Sequence, residues 1–254
     1  MAAQLIDGVA LSQKLRDQFA HETQALVALG TRPGLAVILV GDDPASQVYV
    51  RNKGISAGEA GFSHETIRLP ADVEEGLLLE HVARINDDKA THGLLVQFPL
   101  PKPLREERVI ELIDPAKDVD GFHPLNAGRL SIGKGSYFAP CTPAGVIELL
   151  HREGIATEGK HAVVVGRSNL VGKPLSLLFA QKNAHANAVA TIAHTGAGAR
   201  LKEITREGDI LVAAMGAPLA ITADMVKPGA TVIDVGVNRV PDPTRSEEPR
   251  LNSS

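Results

Sequence analysis

Cysteine, tryptophan and aromatic residues are scarce in this chain of 254 residues, which has one Cys, no Trp and 3% aromatics. A single thiol, Cys141, allows no intramolecular disulfide and no cysteine metal cluster. It suits a reducing compartment. So few rings argue against stacking platforms for single-stranded nucleic acid. There is no basic excess either. The 26 Lys and Arg against 30 Asp and Glu leave a net charge of −4, with no basic block to follow a phosphate backbone. The N-terminus, MAAQLIDGVALSQKLRD, lacks a basic start followed by an apolar run and does not read as a signal peptide. No apolar stretch approaches the ~18 residues that span a bilayer. These absences predict a cytoplasmic protein with neither membrane nor nucleic-acid partners.

What is present is ordinary globular composition, 44% apolar and 22% charged, in a chain long enough for one large or two ordinary domains. Short apolar runs recur at 35–40 (LAVILV), 92–97 (HGLLVQ), 161–166 (HAVVVG), 188–193 (AVATIA), 209–213 (DILVA) and 230–235 (ATVIDV). They are continuous rather than alternating, which suits parallel strands covered on both faces. Between them lie amphipathic stretches at 10–29, 45–61, 73–87 and 170–181. This alternation predicts an α/β fold with parallel sheets.

A boundary falls at 121–142, a Gly- and Pro-rich segment with little periodicity. The next helix is expected to start with Thr142 as N-cap and Pro143 at its first position. The domains are therefore drawn at 1–141 and 142–239, with helix 142–153 linking them. The stretch 240–254 is polar and Pro-rich and reads as a disordered or non-native tail.

In the second domain, HAVVVGRSNLVGKPLSLLFA is a strand, a turn and a helix, with Gly166 closing the strand and Gly172 opening the helix. Such a turn aims backbone N–H groups and a helix dipole at an anion. The spacing is neither G-x-G-x-x-G nor a Walker loop, so a purely structural turn stays open. The next strand ends in His194-Thr195-Gly196, without the acid that bonds an NAD ribose. Arg167 stands in the first turn, where a guanidinium can meet a 2′-phosphate bidentately. The missing acid and the present base agree on NADP; the plain alternative is a solvated surface charge.

In the first domain, Tyr49 and Lys53 are four apart and share a helix face, as many solvated pairs do. Gln97 ends an apolar strand, the place where α/β sheets present side chains to ligands or merely cap a strand. Asp118 and Asp120 lie in PAKDVDGFHP, either a turn or a carboxylate offered to a heterocycle's donors. Two acids without further oxygens nearby do not make a hard-cation cage, so no metal is expected.

Six segments together resemble the bifunctional methylenetetrahydrofolate dehydrogenase/cyclohydrolase family: GDDPASQVYVRNK, GLLVQFPLP, KDVDGFHPLNAGRL, PCTPAGV, VVVGRSNLVGKP and PGATVIDVGVNR, in family order. The resemblance implies an α/β substrate domain, a Rossmann-like NADP-binding domain and an active site in a cleft between them. It implies oxidation of 5,10-methylenetetrahydrofolate with NADP and hydrolysis of the methenyl product, with folate as substrate and a homodimer as the assembly. Lys53 matches the family's catalytic lysine, Tyr49 its pterin-stacking tyrosine and Gln97 the lysine's partner. Asp120 matches the carboxylate that grips the pterin. Gly166, Arg167 and Ser168 match the cofactor turn, Thr195 a position near the adenosine phosphate, and Val237 one flanking the cofactor. The family normally continues past VGVNR with a Gly/Pro-rich substrate loop and a final helix that this sequence does not show. The alternative expectation is therefore a folate- and NADP-binding protein with little turnover.

Overall fold

Continuous apolar runs become strands buried on both faces. The structure, a computed structural model, describes residues 3–240 and 250–253. The chain divides into two units, Met1–Ala127 with Ser136–Phe138, and Gly128–Gly135 with Ala139–Ser254.

The first unit runs α1 (Gly8–Ala28), β1 (Gly34–Val40), α2 (Pro44–Glu59), β2 (Ser63–Leu69), α3 (Glu75–Asp87), β3 (Gly93–Val96) and α4 (Glu106–Leu112). Its sheet is parallel, in the order β2-β1-β3. Successive β1 side chains point to opposite faces. Ala36, Ile38 and Val40 pack with Leu78, Val82 and Ile85 of α3 and Val109 of α4. Val37 and Leu39 pack with Val50 of α2 and Leu95 of β3. Each such side chain contributes roughly 1.5–3 kcal/mol by leaving water, which fixes α2 on one face of the sheet. At the start of α2, Asp43 accepts the Ser46 N–H at 2.8 Å and Pro44 occupies the first turn.

The helix α5 (Pro124–Ile132) leads into the second unit: α6 (Cys141–Arg152), β4 (His161–Val165), α7 (Gly172–Phe179), β5 (Val189–Ala193), α8 (Arg200–Thr205), β6 (Ile210–Ala213) and β7 (Thr231–Asp234). Its sheet is parallel in the order β5-β4-β6-β7, the arrangement of a mononucleotide-binding half. A last pair, β8 (Val237–Val240) and β9 (Arg250–Ser253), is antiparallel.

Several sequence expectations shift. The SHETIRL strand, β2, is an edge strand that is not apolar, because most of its residues face water. AVATIA is likewise an edge strand, with Val189 and Ile192 exposed. The segment 121–142, Gly- and Pro-rich with little periodicity in the sequence, contains α5. The helix expected from Thr142 begins at Cys141, after Pro140, and no side chain caps it. Proline at its third position is tolerated because N–H groups of the first turn lack intrahelical partners anyway. Of the expected tail, 241–249 and 254 lie outside the described residues, whereas Val240 and Arg250–Ser253 are paired strand rather than irregular chain.

Candidate active site

The sheet ends place the chemistry. In the first unit β3 stops at Val96, and the Gln97 N–H continues the ladder by donating to the Ile38 carbonyl at 2.9 Å. The side chain of Gln97 is thereby held at the carboxyl end of the central strands, where α/β sheets present ligand-binding groups. Its Nε2 donates to the Phe98 carbonyl at 2.7 Å, which settles the amide's orientation and leaves Oε1 as an acceptor. Lys53 Nζ, from the second half of α2, donates to that Oε1 at 3.2 Å. Residues 44 apart in sequence are thus joined by one hydrogen bond.

Asp120 completes the group. It is partly buried, and its carboxyl is pushed up to about 6, chiefly by burial; the Lys53 charge opposes the shift and the Asp118 charge adds to it. Lys53, Gln97 and Asp120 therefore belong to one polar constellation. Tyr49 lies one turn before Lys53 on α2 and is 54% exposed, a ring free to stack on a flat ligand.

Asp118 and Asp120, alike in the sequence, differ in the structure. Asp118 is 2% exposed. Its carboxylate accepts from the His123 N–H at 2.8 Å and from Asn126 Nδ2 at 2.9 Å. Sequence reasoning missed Asn126, which is fully buried and also donates to the Pro115 carbonyl. The one signal for it was a polar residue inside a short helix that otherwise turns Leu130 inward. Among the described residues no three His, Cys, Asp or Glu side chains gather closely enough to hold a metal.

In the second unit the turn between β4 and α7 is tightly folded. Gly166 has φ 144°, and a Cβ there would overlap the Ala214 carbonyl, standing 2.9 Å from its carbon. A Cβ on Gly172 would overlap the Gly166 carbonyl, standing 2.5 Å from its carbon. Glycine is required at both because backbone meets backbone. Ser168 Oγ accepts from the Val171 N–H at 3.1 Å and shapes the turn. The N–H groups of Arg167, Ser168, Asn169 and Leu170 find no acceptor among the described residues. Arg167 is exposed and in no ion pair among those residues. Thr195 opens a short 3₁₀ turn after β5, where His194 Nδ1 accepts the Gly196 N–H at 3.0 Å. Val237 opens β8. Open donors, a free guanidinium and no carboxylate at the end of β5 fit a dinucleotide bearing an additional phosphate.

Comparison with known proteins agrees with both halves. Residues 6–120 match the family model described as tetrahydrofolate dehydrogenase/cyclohydrolase, catalytic domain, and residues 140–250 match the NAD(P)-binding domain of the same family. The bifunctional protein FolD of Chlorobium phaeobacteroides is 50% identical over 98% of this chain and 84% of its own length. That of Streptococcus pneumoniae is 53% identical over 93% of this chain and 81% of its own. Among solved structures, FolD from Campylobacter jejuni superposes with a TM-score of 0.89 at 40% identity, covering 94% of this chain and 83% of its own. The Trypanosoma brucei enzyme, solved with NADP cofactor and inhibitor, gives 0.90 at 35% identity, covering 100% and 86%.

Proposed function

Because the chain belongs to the tetrahydrofolate dehydrogenase/cyclohydrolase family, we propose that Lys53, Gln97, Asp120 and Tyr49 form its folate site and that Gly166, Arg167, Ser168, Thr195 and Val237 line its NADP site. The enzyme oxidises 5,10-methylenetetrahydrofolate to the 5,10-methenyl form with NADP, then hydrolyses that product to 10-formyltetrahydrofolate. Matches covering 98% of the chain weigh against a binding protein without turnover. The observation that carries the site assignment is the Lys53–Gln97 hydrogen bond beside the partly buried Asp120.

Each residue type has work to do there. The ionised Asp120 carboxylate can accept two hydrogen bonds from the amino-pyrimidinone edge of a pterin, which fixes the ring's orientation. The exposed Tyr49 ring offers a face for stacking. Bound NADP supplies the hydride acceptor for the oxidative step. The protein's part in that step is alignment of the bridging carbon. In hydrolysis a water must attack the methenyl carbon and lose a proton. Lys53, oriented by Gln97, is the group placed to position that water or receive its proton.

Two predictions arise in the cofactor turn. Arg167→Ala is expected to weaken NADP by about tenfold while changing NAD little, since a charge-assisted bond to a 2′-phosphate is worth roughly 1.5–3 kcal/mol. Competitive titration of both dinucleotides checks this, and an unchanged NADP/NAD ratio places the 2′-phosphate elsewhere. Gly172→Ala is expected to lower NADP affinity at least about tenfold and to reduce thermal stability, because its Cβ overlaps the Gly166 carbonyl. A melting curve with and without NADP reads both effects.

A homodimer and a cytoplasmic location belong to the same reading. In support, the edge strand β5 exposes Val189 and Ile192, a surface a second copy could cover. No helix among the described residues is long and apolar enough to cross a membrane. Light scattering on the purified chain tests the dimer.

A further inference from the structure

Among the described residues Asp118 is the most deeply buried acid the chemistry above leaves unused, at 2% exposure. Its surroundings form a closed ring. The Asp118 backbone N–H donates to the Asp114 carbonyl at 3.0 Å, and its own carbonyl accepts the Gly121 N–H at 3.1 Å. Its side chain reaches across the loop to the His123 N–H at 2.8 Å and to Asn126 Nδ2 at 2.9 Å. Asn126 in turn holds the Pro115 carbonyl at 2.9 Å. The base of the loop is tied to the sheet, since the Leu94 N–H of β3 donates to the Lys117 carbonyl at 2.7 Å. Asp120 rides on this loop two residues after Asp118, and Gly121 follows it with φ 68°. The bonds of Asp118 and its two donors therefore close the loop that carries Asp120, while Val119 between the two acids packs against the first unit's core.

We propose that Asp118 is a positioning residue for the folate reaction: by gripping the His123 N–H and the Asn126 amide it closes the 118–123 loop and sets the Asp120 carboxylate at its place beside Lys53. A carboxylate does this better than a neutral side chain because a single oxygen, Oδ2, accepts both bonds and its negative charge strengthens each of them. A second consequence follows from the charge. Asp118 sits near enough to Asp120 to disfavour its ionisation, so removing that charge lets Asp120 ionise at lower pH. Position and charge thus make separable signatures.

The proposal rests on Asp120 as the pterin-gripping group, and the test keeps the two apart. Steady-state kinetics of the full chain are measured for Asp118→Asn, Asn126→Ala and Asp120→Ala, with circular dichroism confirming the fold of each. Asp118→Asn leaves at most one neutral amide oxygen to accept from both His123 and Asn126 and removes the charge that strengthens those bonds. It is expected to raise KM for methylenetetrahydrofolate about tenfold or more, to change KM for NADP less than about twofold, and to move the acid limb of the folate KM–pH profile to lower pH. Asn126→Ala loosens the loop yet keeps the charge. It is expected to raise the folate KM without that displacement of the limb, and it carries the test if Asp118→Asn does not fold. Unchanged folate KM in both variants, with Asp120→Ala strongly impaired, overturns the proposal. So does an equal loss for folate and NADP, which marks a general weakening of the fold. Asp120→Ala with unchanged folate KM overturns the underlying reading of Asp120 instead.

Discussion

Lys53→Ala is expected to cut methenyltetrahydrofolate hydrolysis by about 10³-fold, within the roughly 10²–10⁴ that positioned proton transfer supplies, and to leave NADP affinity within about twofold. The asymmetry comes from the structure. Lys53 sits on a helix capped by Asp43 and packed through Val50 onto the first unit's sheet, so its truncation removes one amine without disturbing the support. Its contact is the Gln97 amide at 3.2 Å, and that amide stays anchored to the Phe98 carbonyl when the lysine is gone. Each NADP contact assigned above lies in the other unit. The oxidative step should fall less than hydrolysis, because hydride loss asks for alignment rather than proton transfer. Absorbance of the methenyl compound reads both steps in one cuvette. Equal hydrolysis rates in variant and parent would remove Lys53 from the mechanism. Gln97→Ala should give the same pattern more weakly, since the amine survives but loses its orienting partner.

The sheets were legible where burial is two-sided. β1, β3, β4 and β6 are covered on both faces, so nearly every residue in them is apolar or small and the run announces itself. β2 escaped because SHETIRL faces water along most of its length and is mostly polar, whereas β3, also paired with β1 alone in that sheet, is buried throughout and reads as apolar. The helix α5 escaped because its buried residues, Asn126 and Leu130, stand among Pro124, Gly128 and Gly133, punctuation that reads as loop.

The site was legible in a different way. Spacing alone joined Tyr49 to Lys53 on one helix face, but nothing in the chain's local pattern brings Gln97 to Lys53 across 44 residues; the family resemblance named that pair. It also chose between Asp118 and Asp120, which composition cannot tell apart. The structure supplies the physical difference: one carboxylate has its bonds satisfied inside the loop, while the other is buried beside a lysine without a hydrogen-bonding donor of its own among the described residues. In the cofactor turn the glycine spacing matched no common fingerprint. Its logic is the stacking of Gly172 on the Gly166 carbonyl, a contact that only the folded turn reveals.

Asp120→Asn should trade function for stability. An Asp whose carboxyl is raised to about 6 by burial, from an ordinary 3.8, holds its proton more tightly folded than unfolded. Between about pH 4 and 6 the native state therefore binds more protons than the unfolded chain, and stability falls as pH rises through that window. Above it the buried ionised group costs up to about 3 kcal/mol, because each tenfold difference in proton affinity between the folded and unfolded chain is worth about 1.4 kcal/mol. Asparagine has nearly the same shape and no charge to bury. The variant is expected to melt several degrees higher than the parent at about pH 7.5, with the gap closing below about pH 4. The same change removes a carboxylate that the pterin edge needs. Two charge-assisted bonds at roughly 1.5–3 kcal/mol each, partly replaced by one amide oxygen, predict a folate KM about 10²-fold higher. In the parent, folate KM should climb as pH falls through about 6, where the carboxylate takes up its proton. Lys53→Met should move that climb to higher pH, because the lysine's charge is what favours ionisation of Asp120. Melting curves and KM–pH profiles on the three proteins decide the matter. A destabilised Asp120→Asn would show that this carboxylate does not strain the free enzyme, and a parent KM flat between about pH 5 and 8 that its charge does not hold the substrate.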